Sequence, residues 1–397
     1  MNETYDAIVV GGGPSGSTAA NDLARHGRKV ALLDRAGRIK PCGGAIPPRL
    51  MRDFAIPEHL VVARAKSARI VAPSEREVDM PIEGGFVAMV DRDQFDEWLR
   101  ARAAESGAIR LTGTFEAIER DPDGVAVVVY RPAGATAGES LVRLRTRAVI
   151  GADGANSAVA RQAIPKSGKA KNVFAYHEVI RSPSPATDGF DGARCDIYYQ
   201  GRLSPDFYAW IFPHGETASV GVGSARKGFS LRGAVKDLRS QTGLSSCETI
   251  RKEGAPIPLR PRKRWDNGRD VVLAGDAAGV VAPASGEGIY YAMCGGRVAA
   301  DAVQELLATG KVRALAKARA RFMKTHGLVF RILGVMQYFW YSSDKRRERF
   351  VRMCADPDVQ RLTWEAYMNK ELVRARPAAH VRIFFNDLGH LLGLART

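Results

Sequence analysis

The amino-acid sequence predicts an α/β protein: a parallel-sheet domain assembled from non-adjacent segments, interrupted by an antiparallel-sheet domain and followed by a helical, basic region. Three observations predict it. Short apolar runs end in Gly or Asp at three separated places, 6–16, 148–154 and 270–279. Residues 64–90 and 165–260 alternate in polarity, as half-buried strands do. From Gly288 onward the composition turns helical. Ligands of open α/β sheets gather beyond the carboxyl ends of the strands, so three such ends meeting would form one extended ligand cleft.

The first segment is the most explicit. Asp6 to Val10 reads as a buried parallel strand, and Gly11-x-Gly13-x-x-Gly16 follows at once. Ser17 to His26 reads as a helix closed by Gly27, and Lys29 to Leu33 as a second strand ending in Asp34. Strand, glycine turn, helix, strand and acid make the dinucleotide fingerprint in the context it requires. Gly11 permits the turn, Gly13 lets the backbone approach a pyrophosphate, and Gly16 lets helix and strand pack. The helix N-terminus turns N–H groups toward the phosphates. Asp34, roughly 20 residues on, is placed to accept both ribose hydroxyls.

Residues 39–49, IKPCGGAIPPR, hold too many Gly and Pro for regular structure and read as a loop on the ligand side of the sheet. Cys42 sits there, either a bystander in a turn or a thiol beside a ligand, with Gly43 and Gly44 permitting close backbone approach. Asp91 to Leu99 opens a helix, Asp91 and Gln94 resembling a capping box, and Gly107 closes it. Arg92 lies in the first turn, where the helix dipole favours acids. It is either simply exposed or aimed at a ligand. Asp123-Gly124 introduces a β-meander with a long exposed loop over 132–138. AVIGAD at 148–153 and DVVLAG at 270–275 are further buried strands ending in Gly and Asp.

Bulk properties narrow the class. Hydrophobic residues make up 45% and charged residues 26%, as in a folded globular protein of two or three domains. No signal peptide or membrane-spanning run is expected. The five cysteines are scattered and suggest reduced thiols, and neither they nor the seven histidines form a metal motif. The net charge is +16, and residues 301–397 carry 18 Lys/Arg against 9 Asp/Glu. Such a balance favours an anionic partner. With no nucleic-acid motif present, a membrane surface ranks first.

GGGPSG with Asp34, GADGANSAVAR at 151–161 and GDAAGVVAPASGEGIYYAM at 275–293 resemble the FAD-dependent superfamily built around p-hydroxybenzoate hydroxylase. The resemblance implies a discontinuous FAD-binding domain over 1–45, 91–162 and 266–305. An inserted antiparallel-sheet substrate domain would take 46–90 and 163–265, and a basic helical region 306–397. Carried over by position, Gly11, Gly13, Ser15 and Gly16 would hold the pyrophosphate and Asp34 the ribose. Arg92 matches a flavin-contacting arginine, and Asp153 would support the pyrophosphate region. Gly275 and Asp276 would meet the ribityl chain, and Gly286, Gly288 and Ile289 would bring backbone N–H groups to the isoalloxazine. The Cys42, Gly43 and Gly44 loop would complete the cofactor site.

PCGGAIPP at 41–48 and YAWIFP at 208–213 are similar to the geranylgeranyl reductases, most of all to those of (bacterio)chlorophyll synthesis. The resemblance implies reduction of three isolated double bonds in a prenyl tail, free as the diphosphate or joined to the pigment. Electrons would come from NADPH or ferredoxin, on the cytoplasmic side of a photosynthetic membrane. An unpolarised alkene needs a proton delivered with the hydride, and Cys42 is a candidate donor, since a thiol keeps its proton at neutral pH. Tyr208, Trp210 and Phe212 alternate along one strand and either line the tail's tunnel or belong to the sheet's core. A prenyl-lipid reductase of archaeal type and an aromatic monooxygenase share the FAD motifs; a pigment-binding flavoprotein without catalysis is a remote third alternative. Residues 327–341 are apolar or aromatic apart from Arg331, Gln337 and two glycines, and Asp344-Lys-Arg-Arg-Glu-Arg follows. Fifteen helical residues span about 22 Å, too short to cross a bilayer. The segment either lies on a membrane surface or packs against protein.

Overall fold

The computed structural model describes residues 4–35, 39–135, 141–164, 172–183 and 189–370. Beyond residue 135 the loop expected at 132–138 lies outside them, as do 165–171 of the alternating stretch and the C-terminal region past 370. The chain opens with β1 (Tyr5–Val10), α1 (Pro14–Arg25) and β2 (Val30–Asp34). β3 (Ala45–Ile46), α2 (Pro48–Asp53), β4 (Val61–Ala65), β5 (Ser67–Val71), β6 (Glu77–Pro81) and β7 (Val87–Val90) follow. Next come α3 (Arg92–Glu105), β8 (Ile109–Arg120), β9 (Ala126–Pro132), β10 (Val142–Gly151) and α4 (Ala158–Ala163). β11 (Asn172–Arg181), β12 (Arg194–Tyr198), β13 (Ala209–His214), β14 (Thr217–Ser224), α5 (Leu231–Gln241) and β15 (Thr249–Pro258) come after. β16 (Val271–Leu273) precedes the helices α6 (Ile289–Thr309), α7 (Ala316–Trp340), α8 (Asp344–Met353) and α9 (Pro357–Asn369).

The chain divides into two compact units. The first comprises Met1–Cys42, Arg92–Val173 and Ala255–Gly334. Its sheet runs in parallel through β2, β1, β10 and β16, with Val9 beside Leu32 and Ile150, and Ile150 beside Val272. These residues are wholly apolar and buried, as a strand covered on both faces demands. β8 and β10 each play two parts. Ile109–Thr112 of β8 runs parallel to β2, and its remainder pairs antiparallel with β9. Val142–Thr146 of β10 is antiparallel to β9, and Thr146–Gly151 is parallel to β1. The expected meander is therefore an extension of the nucleotide-type sheet. α1 packs on α6, where a Cβ on Gly296 would fall 2.2 Å from Ser15 O, so only glycine allows that approach.

The second unit comprises Gly43–Asp91, Phe174–Gly254 and the described residues from Val335 on. Its main sheet has the order β15-β11-β14-β13-β12-β5-β6, and β3, β7 and β4 form a smaller one. One face of the main sheet, with Tyr176, Ile180, Ala209, Ile211, Val220 and Val222, packs with Val235 and Leu238 of α5. Of residues 306–397, expected as one region, the described ones divide at 334/335 between the two units. No disulfide joins the five cysteines, and no described helix is long and apolar enough to cross a membrane.

Candidate functional site

The glycine turn of the first unit is built by contact. Gly11 (φ 105°) donates its N–H to Leu33 O at 2.7 Å, and a Cβ there would fall 2.4 Å from Ala152 O. A Cβ on Gly16 would fall 1.8 Å from Gly11 O. Gly13 differs, because a Cβ on it would meet nothing within 4 Å. It is the N-cap of α1, no side chain caps the helix, and Pro14 occupies the first turn without an N–H to satisfy. Ser15 Oγ, in that same turn, is buried and has no hydrogen-bond partner. An uncapped helix start, an unpaired hydroxyl and an open backbone make an anion cradle. Such a cradle suits a phosphate-bearing ligand such as FAD.

The acid at the end of β2 stands beside the glycine turn. A Cβ on Gly12 would lie 2.8 Å from Asp34 Cβ, so this glycine admits Asp34 to the turn. Arg100 Nη1 lies 3.3 Å from Asp34 Oδ2 and 3.2 Å from Gly12 O. A pocket of about 250 Å³ opens here, lined by Leu32, Asp34, Arg35, Glu97, Arg100 and Arg110 among others. Arg100 escapes the sequence reading, although its spacing is informative. Arg92, Asp96 and Arg100 recur every four residues along one side of α3.

Arg92 is 5% exposed, so the reading as a simply exposed arginine does not hold. It grips Asp96 through both carboxylate oxygens at 2.9 and 2.7 Å, and Cys42 is its second partner. Burial works against the guanidinium charge, but Asp96 and Cys42 together hold its pKa above the ordinary value. Asp91, expected to cap α3, has its carboxylate 2.9 Å from His214 Nδ1.

The other two strand ends belong to the same unit. Asp276 is buried, and its Oδ2 pairs with the ammonium of Lys40. Gly275 (φ 60°) lies against Ser15, where a Cβ would fall 2.7 Å from Ser15 Cβ. The turn 275–276 therefore adjoins the start of α1. Gly288 caps α6 without a side-chain bond, and a Cβ on it would lie 3.9 Å from Asp276 Oδ1. Gly286 (φ 66°) donates to Ala282 O, and Ile289 opens the helix, buried. Asp153 holds the start of α4. It accepts from Ser157 Oγ and from the N–H groups of Ala158 and Val159, and so caps α4.

In the second unit Tyr208, Trp210 and Phe212 form one aromatic row. Ring centroids lie 5.9 Å apart for Tyr208 and Trp210 and 6.1 Å for Trp210 and Phe212. Ala209 and Ile211, between them, face α5 in the core, so the row occupies the opposite face of the sheet. The neighbouring strand offers small residues there, with Gly221 in register with Trp210 and Ser219 with Phe212. Gly43 lies against the Phe212 ring, 2.8 Å from where its Cβ would be, and its carbonyl is 3.1 Å from His214 Nε2. Gly44 (φ 70°) accepts the N–H of Val90 at 2.9 Å. Both glycines thus bind backbone to this unit.

Known proteins resemble this arrangement at every level. The FAD binding domain family matches residues 4–321. A geranylgeranyl diphosphate reductase of Rhodobacter capsulatus is 60% identical over 390 residues, 98% of each chain. A digeranylgeranylglycerophospholipid reductase of Methanocaldococcus jannaschii is 33% identical over 77% of this chain and 79% of the relative. The crystal structure of a geranylgeranyl bacteriochlorophyll reductase-like protein of Thermoplasma acidophilum superposes with TM-score 0.81 at 24% identity. It covers 95% of this chain and 99% of that one, and shows the fold.

Proposed function

The chain belongs to the geranylgeranyl reductases of the FAD-binding family, and from that premise we propose that it hydrogenates three isolated double bonds of a geranylgeranyl chain in (bacterio)chlorophyll biosynthesis. The observation that carries the reading is likeness over 98% of both chains to a reductase of that name, against 77% coverage for the archaeal phospholipid reductase. The aromatic row supports an apolar substrate. In this reading the first unit holds FAD and the second receives the tail.

FAD, when bound and reduced by NADPH or a ferredoxin, supplies the hydride. The chain's own residues hold the cofactor and handle the proton. Gly13, Ser15 and the start of α1 would hold the pyrophosphate, Asp34 with Arg100 the ribose, and Asp276 the ribityl hydroxyls. Cys42 gives its Sγ proton to the second alkene carbon. The thiolate left behind lies against the Arg92 guanidinium, which Asp96 keeps in place. Tyr208 and Trp210 would receive the apolar tail, and aromatic rings suit a carbon on which positive charge gathers.

We further propose that α7 and α8 meet a membrane surface. Val335 is 65% and Tyr338 80% exposed, and Leu328 and Ile332 share that side of α7. Phe330, Trp340 and Tyr341 of the same stretch are buried, so the segment both packs on protein and presents an apolar stripe. Arg347 leaves the lipid-facing set: it is 2% exposed and donates to Pro205 O and Tyr341 O. Purified protein given geranylgeranyl diphosphate or the geranylgeranyl pigment, with each reductant, should yield products heavier by two, four and six hydrogens. Oxygen uptake on an aromatic substrate without prenyl reduction would overturn the assignment in favour of a monooxygenase.

A further inference from the structure

A buried polar chain stands behind the aromatic row. Trp210 donates its indole N–H to Ser219 Oγ at 3.1 Å, and that oxygen lies 2.8 Å from His177 Nδ1. His177 Nε2 lies 3.1 Å from Glu253 Oε2, and Arg251 pairs with the other carboxylate oxygen. An indole N–H only donates. Ser219 accepts from Trp210, and in the tautomer that turns the imidazole proton from Nε2 to Glu253 it gives its own proton to Nδ1. In that order the Trp210 N–H, the Ser219 hydroxyl and both His177 nitrogens each have a partner. Burial pushes the Glu253 carboxyl up, but His177 and Arg251 outweigh it and hold its pKa below the ordinary value, in keeping with a carboxylate at the end of the chain.

The strand register explains why the indole needs such a hold. His177, Gly221 and Trp210 stand in one row across β11, β14 and β13. A Cβ on Gly221 would fall 2.2 Å from the indole and 2.7 Å from His177 Cβ, so the ring lies directly over the glycine. Glycine gives the ring a floor but no side wall, and the bond at its N–H edge fixes which way it points. A buried tryptophan needs only one acceptor, which a carbonyl or a water supplies. Here the acceptor is backed by a histidine 3% exposed and by an ion pair, which cost desolvation to bury.

We propose that Glu253, His177 and Ser219 form a positioning chain that holds the Trp210 indole in one orientation and thereby sets how many double bonds of the tail are reduced. The proposal rests on the reading that the aromatic row receives the prenyl tail. None of the three is a catalytic residue; they act through Trp210.

The test uses the FAD-loaded enzyme with Ser219→Ala, His177→Asn, His177→Gln and Trp210→Phe. Products are separated by mass spectrometry, and the orientation of the indole is followed as the near-UV circular dichroism that Trp210→Phe removes. Ser219→Ala should keep its FAD, lose that dichroic signal and raise the ratio of partly to fully reduced tails at least threefold, as Trp210→Phe does. The amide of His177→Asn occupies the Nδ1 position without reaching Glu253 and should hold the ratio between the parental value and that of Ser219→Ala. The amide of His177→Gln reaches only the Nε2 position and should leave the ratio at that of Ser219→Ala. A parental ratio and an intact signal in Ser219→Ala would overturn the proposal. Should the parent enzyme reduce no prenyl tail, the function assigned above falls, and the dichroic signal alone still decides whether Ser219 holds the indole.

Discussion

The ammonium of Lys40 pairs with the buried carboxylate of Asp276, joining residues 236 apart in sequence. Lys40 stands two residues before Cys42, so this ion pair ties the Cys42 loop to the third strand end. Asp276→Ala should weaken FAD retention by at least about tenfold, in line with the ~1.5–3 kcal/mol that one charged hydrogen bond contributes. Flavin fluorescence after exhaustive dialysis measures it, and an unchanged flavin content would remove Asp276 from the site.

Two glycines of one motif should respond in opposite ways. Gly13→Ala meets nothing within 4 Å, so the apoprotein should melt within a degree or two of the parent while FAD binding is lost. Gly16→Ala forces a Cβ to 1.8 Å from Gly11 O and should cost at least ~3 kcal/mol of stability. Melting curves of both variants with and without FAD separate the outcomes. A Gly13→Ala protein that binds FAD normally would remove the cradle.

Cys42→Ala should retain FAD and lose turnover by at least about a hundredfold, the lower end of what a general acid contributes. Single-turnover reduction of the tail is the direct measurement. Turnover at the parental rate would make Cys42 incidental.

Acid should loosen the first unit through Asp270. Burial raises its carboxyl pKa, but Arg120 and Asn267 outweigh burial and leave it below the ordinary value. A depressed folded pKa means the contribution is present at neutral pH and disappears as pH falls through the carboxylate range. Asp270→Asn should therefore lower the melting temperature at pH 7 and narrow the difference from the parent toward pH 3. A difference that stays constant with pH would show that the pair contributes packing only.

Binding to anionic liposomes should fall as salt rises and weaken further in Lys345→Gln/Arg346→Gln/Arg349→Gln, at roughly 1 kcal/mol per residue near the leaflet. Arg347 is left intact, because removing it would strip Tyr341 O and Pro205 O of their donor. Equal sedimentation with neutral vesicles would remove the electrostatic part, and no sedimentation would remove the whole proposal.

What the sequence disclosed, it disclosed where one local pattern leaves one answer. The turn at 11–16 needs glycine because backbone meets backbone, and such contacts travel with the motif. Tyr208, Trp210 and Phe212 share a face because strands alternate, but which face depends on α5, far along the chain. Asp153 reads from its motif as a ligand group, and the structure alone shows it also accepting from Ser157, four residues on, at the start of α4. Arg347 reads as one of a basic run, and only the packing around Tyr341 shows it buried. His177, Ser219 and Glu253 lie on three strands, and no local spacing unites them.

The double role of β10 has a consequence for synthesis. Its first half pairs with β9 and its second half with β1, but its other parallel partner, β16, emerges only after 119 further residues, from 152 to 270, have been made. A nascent chain therefore carries a central strand with a bare edge throughout that interval, and such edges recruit strands from other chains. The high contact order also slows closure. Chains stalled on the ribosome before Val271 should depend on chaperones and be cut readily by protease near β10, and those released past Leu273 should resist it.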